Sequence, residues 1–166
     1  MLIEGIGPLG LPAVTISVDI LNRWPEGFER ALFDTAHVFY YRDGGFKVWN
    51  PPPDVYLRML ANRSTPAVDY RFVDEAERPD YRAANLAYSE AIKFMDHSLP
   101  DPHPGLRAWQ SQDEQTLILF HLGMEPARWP TDRVARVTNL STQKSVEVTD
   151  GHYKLQPQHV YRLDSQ

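Results

Sequence analysis

The sequence contains no cysteine, which removes disulfide frameworks, thiolate zinc sites and cysteine nucleophiles together. Lysine is scarce, standing only at Lys47, Lys93, Lys144 and Lys154, so positive charge rests on arginine, which suits bidentate contacts at interfaces. No apolar run reaches the ~20 residues a membrane-spanning helix requires. The stretch Met1 to Val18 is rather apolar, but it lacks a basic start and is interrupted by Glu4, Pro8 and Pro12. It reads as no signal peptide, and the expectation is a soluble protein, cytoplasmic or assembled into a particle.

A basic surplus is missing too. The formal net charge is -5, and residues 1–102 carry all of the imbalance, with ten basic and fifteen acidic side chains against seven of each in residues 103–166. Neither part has the basic footprint that nucleic-acid binding needs. No Gly-x-Ser-x-Gly elbow occurs and the histidines are scattered, which leaves serine catalysis without support. Gly5-Ile-Gly-Pro-Leu-Gly10 has the letters of a dinucleotide fingerprint but precedes a strand and carries Pro8, so it reads as part of an N-terminal arm. No cofactor is implied.

What is present is prolines and short alternating runs. With 14 prolines in 166 residues, loops and edges are favoured over long helices. Residues 1–12 read as an extended arm. A strand follows over Ala13 to Leu21, with Val14, Ile16 and Val18 on one face. Pro25 to Phe33 reads as a short helix, and His37 to Trp49 as a hairpin turning at Asp43-Gly44-Gly45. Asp54 can cap a helix through Leu60, Val68 to Val73 alternates as a strand, and a helix is predicted over 80–98 with Tyr81, Ala84, Tyr88, Ile92 and Met95 on one stripe. Asp101-Pro-His-Pro104 then reads as loop punctuation before a strand-rich remainder. The expected fold is α+β: a mixed region over 13–102, then an antiparallel β-sandwich or open barrel over 103–166, packed together as one unit.

Three sets of residues carry candidate chemistry. The hairpin holds Tyr41 and Trp49, and Trp129 reads as a loop residue between Pro126 and Pro130; exposed rings of this kind stack on sugars or anchor partners. Asp96, His97, Asp101 and His103 gather oxygen and imidazole donors that could hold zinc or manganese if the loop folds back on its helix. The carboxylates Asp69, Asp74, Glu75, Glu77 and Asp80 are better explained as a solvated helix N-terminus.

The runs Leu106-Arg-Ala-Trp-Gln, Thr116-Leu-Ile-Leu-Phe, Val137-Thr-Asn-Leu-Ser-Thr, Val146 to Pro157 and Val160-Tyr-Arg-Leu163 resemble the small C-terminal β-sandwich of α-amylase-family glycoside hydrolases. In that family the catalytic carboxylates belong to a preceding (β/α)₈ barrel. The resemblance therefore implies a non-catalytic accessory sandwich and carries over no catalytic residue. The leading expectation is a non-catalytic binding or assembly protein, a subunit of a larger complex such as a viral particle, with a protein partner or a second copy of itself. The alternatives are a carbohydrate-binding module using Tyr41, Trp49 or Trp129, and a small metal-dependent hydrolase built on Asp96, His97, Asp101 and His103.

Overall fold

The computed structural model describes residues 2–4, 16–18, 53–63, 73–132 and 134–165. The chain divides into two units, Met1–Tyr81 and Arg82–Gln166. In the first, β1 (Leu2–Glu4) pairs in parallel with β2 (Ile16–Val18), Leu2 lying opposite Ile16. The start of the expected arm is thus a short strand. The predicted strand through Ile16 is present in its central residues, whereas the helix near residue 25 and the hairpin over 37–49 lie outside the described residues.

Helix α1 spans Pro53–Ala61. Proline suits a first helical position, where its missing N–H has no intrahelical partner to lose. Asp54 in the first turn and Arg58 in the last complement the helix dipole. Tyr56, Leu57, Leu60 and Ala61 are buried, and the spacing of Tyr56, Leu57 and Leu60 places one stripe inward. The helix closes at Arg63, whose N–H donates to the Leu60 carbonyl at 2.9 Å with φ at 56°.

Helix α2 covers Arg78–Ala91 and tightens into a 3₁₀ turn at Ile92–Phe94. The turn before it is fixed by Asp74, whose carboxylate accepts from the Ala76 N–H at 3.0 Å. Tyr81, Ala84, Tyr88 and Met95 of the predicted stripe are buried. The Tyr81 ring meets Tyr56 edge-on, with centroids 5.0 Å apart.

The second unit is dominated by nine strands: β3 (His97–His103), β4 (Leu106–Gln110), β5 (Thr116–His121), β6 (Ala127–Pro130), β7 (Val134–Asn139), β8 (Lys144–Ser145), β9 (Val148–Thr149), β10 (His152–Leu155) and β11 (Val160–Ser165). Six form one antiparallel sheet in the order β3-β4-β5-β11-β7-β8, and three form another in the order β6-β10-β9. The terminal strands of the larger sheet do not pair with each other. It is an open sheet.

Register assigns the faces. Ala108, Leu119 and Tyr161 lie in one cross-strand row, and Leu117, Leu163 and Val137 in the next. Strand alternation puts these rows on a single face. They pack with Tyr153 and Leu155 of β10 and with Ala127 and Trp129 of β6 in one core cluster. The two sheets therefore face each other as a sandwich. On the reverse face, Trp109, Ile118 and Arg162 form a row, and the Arg162 guanidinium stands 5.7 Å over the Phe94 ring of the 3₁₀ turn.

One local expectation is overturned. Asp101-Pro-His-Pro104 is not loop punctuation, because β3 runs through its first three residues as the edge of the large sheet. Proline is tolerated on an edge, where one side of the strand needs no N–H donors, and the register with β4 shifts between Leu99 and His103 to absorb Pro100 and Pro102. The predicted helix consequently ends before His97.

Candidate functional site

Trp129 lies on β6, the edge of the smaller sheet. Its neighbours alternate: Ala127 and Trp129 are half-buried, while Arg128 and Pro130 are exposed. Across the strand pair Trp129 sits directly opposite Tyr153 of β10, a buried residue. The indole is thus seated on the sandwich core with part of its surface left open.

That surface borders a cleft of about 340 Å³. Leu117, Val134 and Leu163 provide its apolar floor with Trp129, and Pro130 flanks it. Val134 and Leu163 are buried and belong to the same core cluster that Leu117 and Trp129 pack against. Gln110, Glu114, Asp132 and Ser165 supply the polar groups. Glu114, Asp132 and Ser165 are solvent-exposed, so the cleft has an apolar base and a polar rim, the usual composition of a small-molecule site.

The rim is held by hydrogen bonds. Glu114 occupies the β4–β5 turn, where its N–H donates to the Ser111 carbonyl at 3.0 Å and its φ is 60°. Asp113 locks that turn, accepting from the Ser111 hydroxyl at 2.6 Å and from the Gln115 N–H at 3.1 Å. These two bonds, the hydroxyl's foremost, hold the Asp113 carboxyl below its ordinary value. Ser165 is tied to the same turn, donating from both its N–H (2.9 Å) and its hydroxyl (3.0 Å) to the Gln115 carbonyl. Beside Asp132, the Thr131 hydroxyl donates to the Gly151 carbonyl at 3.1 Å.

Of the aromatic candidates, Trp129 lies at this cleft, whereas Tyr41 and Trp49 lie outside the described residues. The metal reading meets a different geometry. Among the described residues no three His, Asp or Glu side chains converge where an ion could sit. His97, Asp101 and His103 are strung along β3, and at about 3.3 Å per residue an extended strand carries its ends far beyond ligand distance. Their polar atoms have local engagements: the Asp96 carboxylate accepts from the Gln112 N–H at 2.8 Å, Asp101 stands 3.9 Å from Arg107 Nε, and His103 Nδ1 is 3.1 Å from the Pro104 carbonyl.

Sequence reasoning singled out Trp129 but not Gln110, Glu114, Asp132 or Ser165. Those four come from the end of β4, two turns and the end of β11, separated by up to 55 positions, and only the fold brings them together. Among the described residues the large apolar side chains left exposed are Leu86, Met124 and Val148, on three different segments.

No family model and no curated relative matches the sequence. Solved structures match its fold. An Anoxybacillus alpha-amylase superposes with a TM-score of 0.57 over 99% of this chain and 52% of its own, at 10% identity. The chain is alike in fold to an alpha-amylase. It spans about half of that enzyme's length. AmyP in complex with maltose (TM-score 0.46, 10% identity, 89% of this chain and 40% of that one) and a putative alpha-galactosidase/melibiase from Bacteroides fragilis (0.46, 11%, 92% and 42%) are more distant. The resemblance carried by the strand rhythm of residues 106–163 is therefore a likeness of structure without a sequence match. Among the described residues no helix is long and apolar enough to cross a membrane.

Proposed function

We propose that the β-sandwich is a non-catalytic carbohydrate-binding element, accessory to a glycoside-hydrolase-like architecture, and that sugar is taken in the cleft at Trp129. The observation that carries this reading is a half-buried indole bordering a cleft whose other walls offer hydroxyl, amide and carboxylate groups. A pyranose ring has an apolar C–H face and an equatorial belt of hydroxyls. The indole takes the first by dispersion and C–H contact with its π face, while Gln110, Glu114, Asp132 and Ser165 can exchange water for the hydroxyls. Because the core beneath Trp129 fixes the ring in advance, binding forfeits little side-chain entropy there. The likeness in fold to an alpha-amylase supports the choice of sugar over other small ligands.

Calorimetric titration of the intact chain with neutral gluco-, galacto- and amino-sugar oligomers tests the reading. The expected result is saturable binding to at least one series that is lost in Trp129→Ala and retained in part by Trp129→Tyr. Absence of binding across the panel, or binding indifferent to Trp129, overturns it.

A further inference from the structure

We propose that His121 is a proton-operated latch on the β5–β6 connection, the segment of residues 122–126 that leads into the strand of Trp129. The neutral ring holds the connection and the protonated ring releases it, so acid loosens the grip on sugar. That last step rests on the reading of the Trp129 cleft as a sugar site; the latch itself does not.

His121 ends β5 and is only 2% exposed. Its Nδ1 accepts from the Gly123 N–H at 3.2 Å, and a Cβ on Gly123 would stand 3.1 Å from its Cε1, so ring and connection are in contact. A neutral imidazole accepts through one nitrogen and carries its proton on the other. The Gly123 bond therefore places the proton on Nε2, which is buried without a hydrogen-bond partner among the described residues. A second proton goes to Nδ1 and sets one N–H against another. The ring is fixed by a strand paired on both sides, with β4 and with β11, so the connection yields. It stays tethered by the Gly105 carbonyl, which accepts from the Leu122 and Gly123 N–H groups, and by the Gln158 amide, which donates to the Leu122 and Gly123 carbonyls at 3.1 and 3.2 Å. Beyond these bonds Met124, Glu125 and Pro126 are exposed, and the next strand, β6, is an edge held on one side by β10.

Register sets His121 in a cross-strand row with Leu106 and His103 on one side and His159 on the other. The titratable and charged groups around it are those two histidines and the exposed Glu125. Arg107, beside Leu106, points to the other face of the sheet, and the Tyr161 hydroxyl is engaged by Gln156. Burial foremost, and then His159 and His103, oppose a proton on His121 and outweigh the Glu125 carbonyl, which favours one. The latch is accordingly closed at neutral pH and opens as the pH falls below the ordinary histidine value of 6.5.

Amide hydrogen exchange of the intact protein at pH 7.5 and pH 5.0 tests the latch, each amide being set against its intrinsic rate at that pH and the β4 and β5 amides reporting global opening. Expected at pH 5.0 is a loss of protection at Gly123 about fivefold to tenfold greater than at those reference amides, as one lost hydrogen bond gives. The excess should vanish in His121→Gln, whose side chain does not titrate. Should that variant fold poorly, imidazole nitrogen chemical shifts of the wild-type protein decide: the neutral His121 ring carries its proton on Nε2, and its protonation midpoint coincides with the loss of Gly123 protection. Gly123 protection that merely follows the reference amides, a response that survives His121→Gln, or a neutral ring protonated at Nδ1 each overturns the latch. Titration with a sugar that binds at pH 7.5 reads the site: its apparent Kd should rise about twofold to threefold at pH 5.0, as when only half to a third of the molecules are competent, and stay level in His121→Gln. An affinity indifferent to pH overturns the control of the site. Absence of sugar binding at either pH removes the sugar reading and that control with it, while exchange still decides the latch.

Discussion

Trp129 and Tyr153 face each other across the β6–β10 pair, one half-buried and the other almost wholly so. The arrangement gives the exposed ring a rigid apolar backing and makes it part of the sandwich core as well as of the cleft. Replacing Trp129 therefore has two separable effects. Trp129→Ala should destabilise the fold by about 1–3 kcal/mol, through lost packing on the core, and abolish sugar binding. Trp129→Phe keeps an aromatic backing and should restore most of the stability while binding sugar more weakly. Denaturant midpoints set beside titration affinities distinguish the two effects.

Tyr161 closes the turn between β10 and β11 from below. Its hydroxyl accepts from the Gln156 N–H at 2.6 Å and donates to the Gln156 carbonyl at 3.2 Å. Burial pushes its pKa up to about 12, against the lowering effect of the Gln156 backbone. Tyr161→Phe preserves the ring but leaves two backbone groups without that partner, so a loss of about 1–3 kcal/mol is expected, with no change in the affinity for sugar because the cleft is lined by other residues. Urea unfolding and titration of the same preparation check both halves.

Most of the strands of residues 106–163 were legible as short apolar runs bounded by turn residues, and Trp129 was legible as a large ring between two prolines. Those prolines, however, read as a loop, whereas Trp129 lies on the edge strand β6. What could not be read locally was pairing. Whether Leu163 lies beside Leu117 or elsewhere is decided by sheet order, and sheet order decides that Glu114, Asp132 and Ser165 share a cleft. The metal reading of Asp96, His97, Asp101 and His103 supposed a loop folding back on the end of its helix, and Asp101-Pro-His-Pro104 read as loop punctuation; the chain instead extends into the edge strand β3.

Gly105 and Gly151 both sit at positive φ, 78° and 73°, but in different surroundings. A Cβ on Gly105 would meet the backbone of Gly123 at 3.1 Å, whereas one on Gly151 would meet nothing within 4 Å. Alanine at Gly151 should cost only the left-handed backbone preference, about 1–2 kcal/mol. At Gly105 the same cost is joined by a collision with backbone, and by strain on the bonds from the Leu122 and Gly123 N–H groups to the Gly105 carbonyl at 2.7 and 3.2 Å. Gly105→Ala should therefore lower the melting temperature clearly more than Gly151→Ala. Equal losses would show that the Gly105–Gly123 approach is not a tight one.

His121 and His159 lie where β5 meets the start of β11, linked by the bond from the His121 N–H to the His159 carbonyl at 2.9 Å. Burial lowers both below the ordinary histidine value of 6.5. At His121 the nearby His159 and His103 push further in that direction, against the backbone carbonyl of Glu125. The native state thus holds these rings neutral, with His121 Nδ1 accepting from the Gly123 N–H at 3.2 Å and His159 Nδ1 2.9 Å from Asn139 Nδ2. Since the unfolded chain binds protons more readily, their contribution favours folding fully above pH 6.5 and is lost as the pH falls below that value towards the depressed native pKa values. Urea midpoints measured from pH 7.5 down to pH 5 should accordingly decline through this window. In His121→Gln/His159→Gln the decline should be shallower even if the double variant is less stable throughout, because slope and offset report different things. An unchanged slope in that variant would assign the acid sensitivity to other groups.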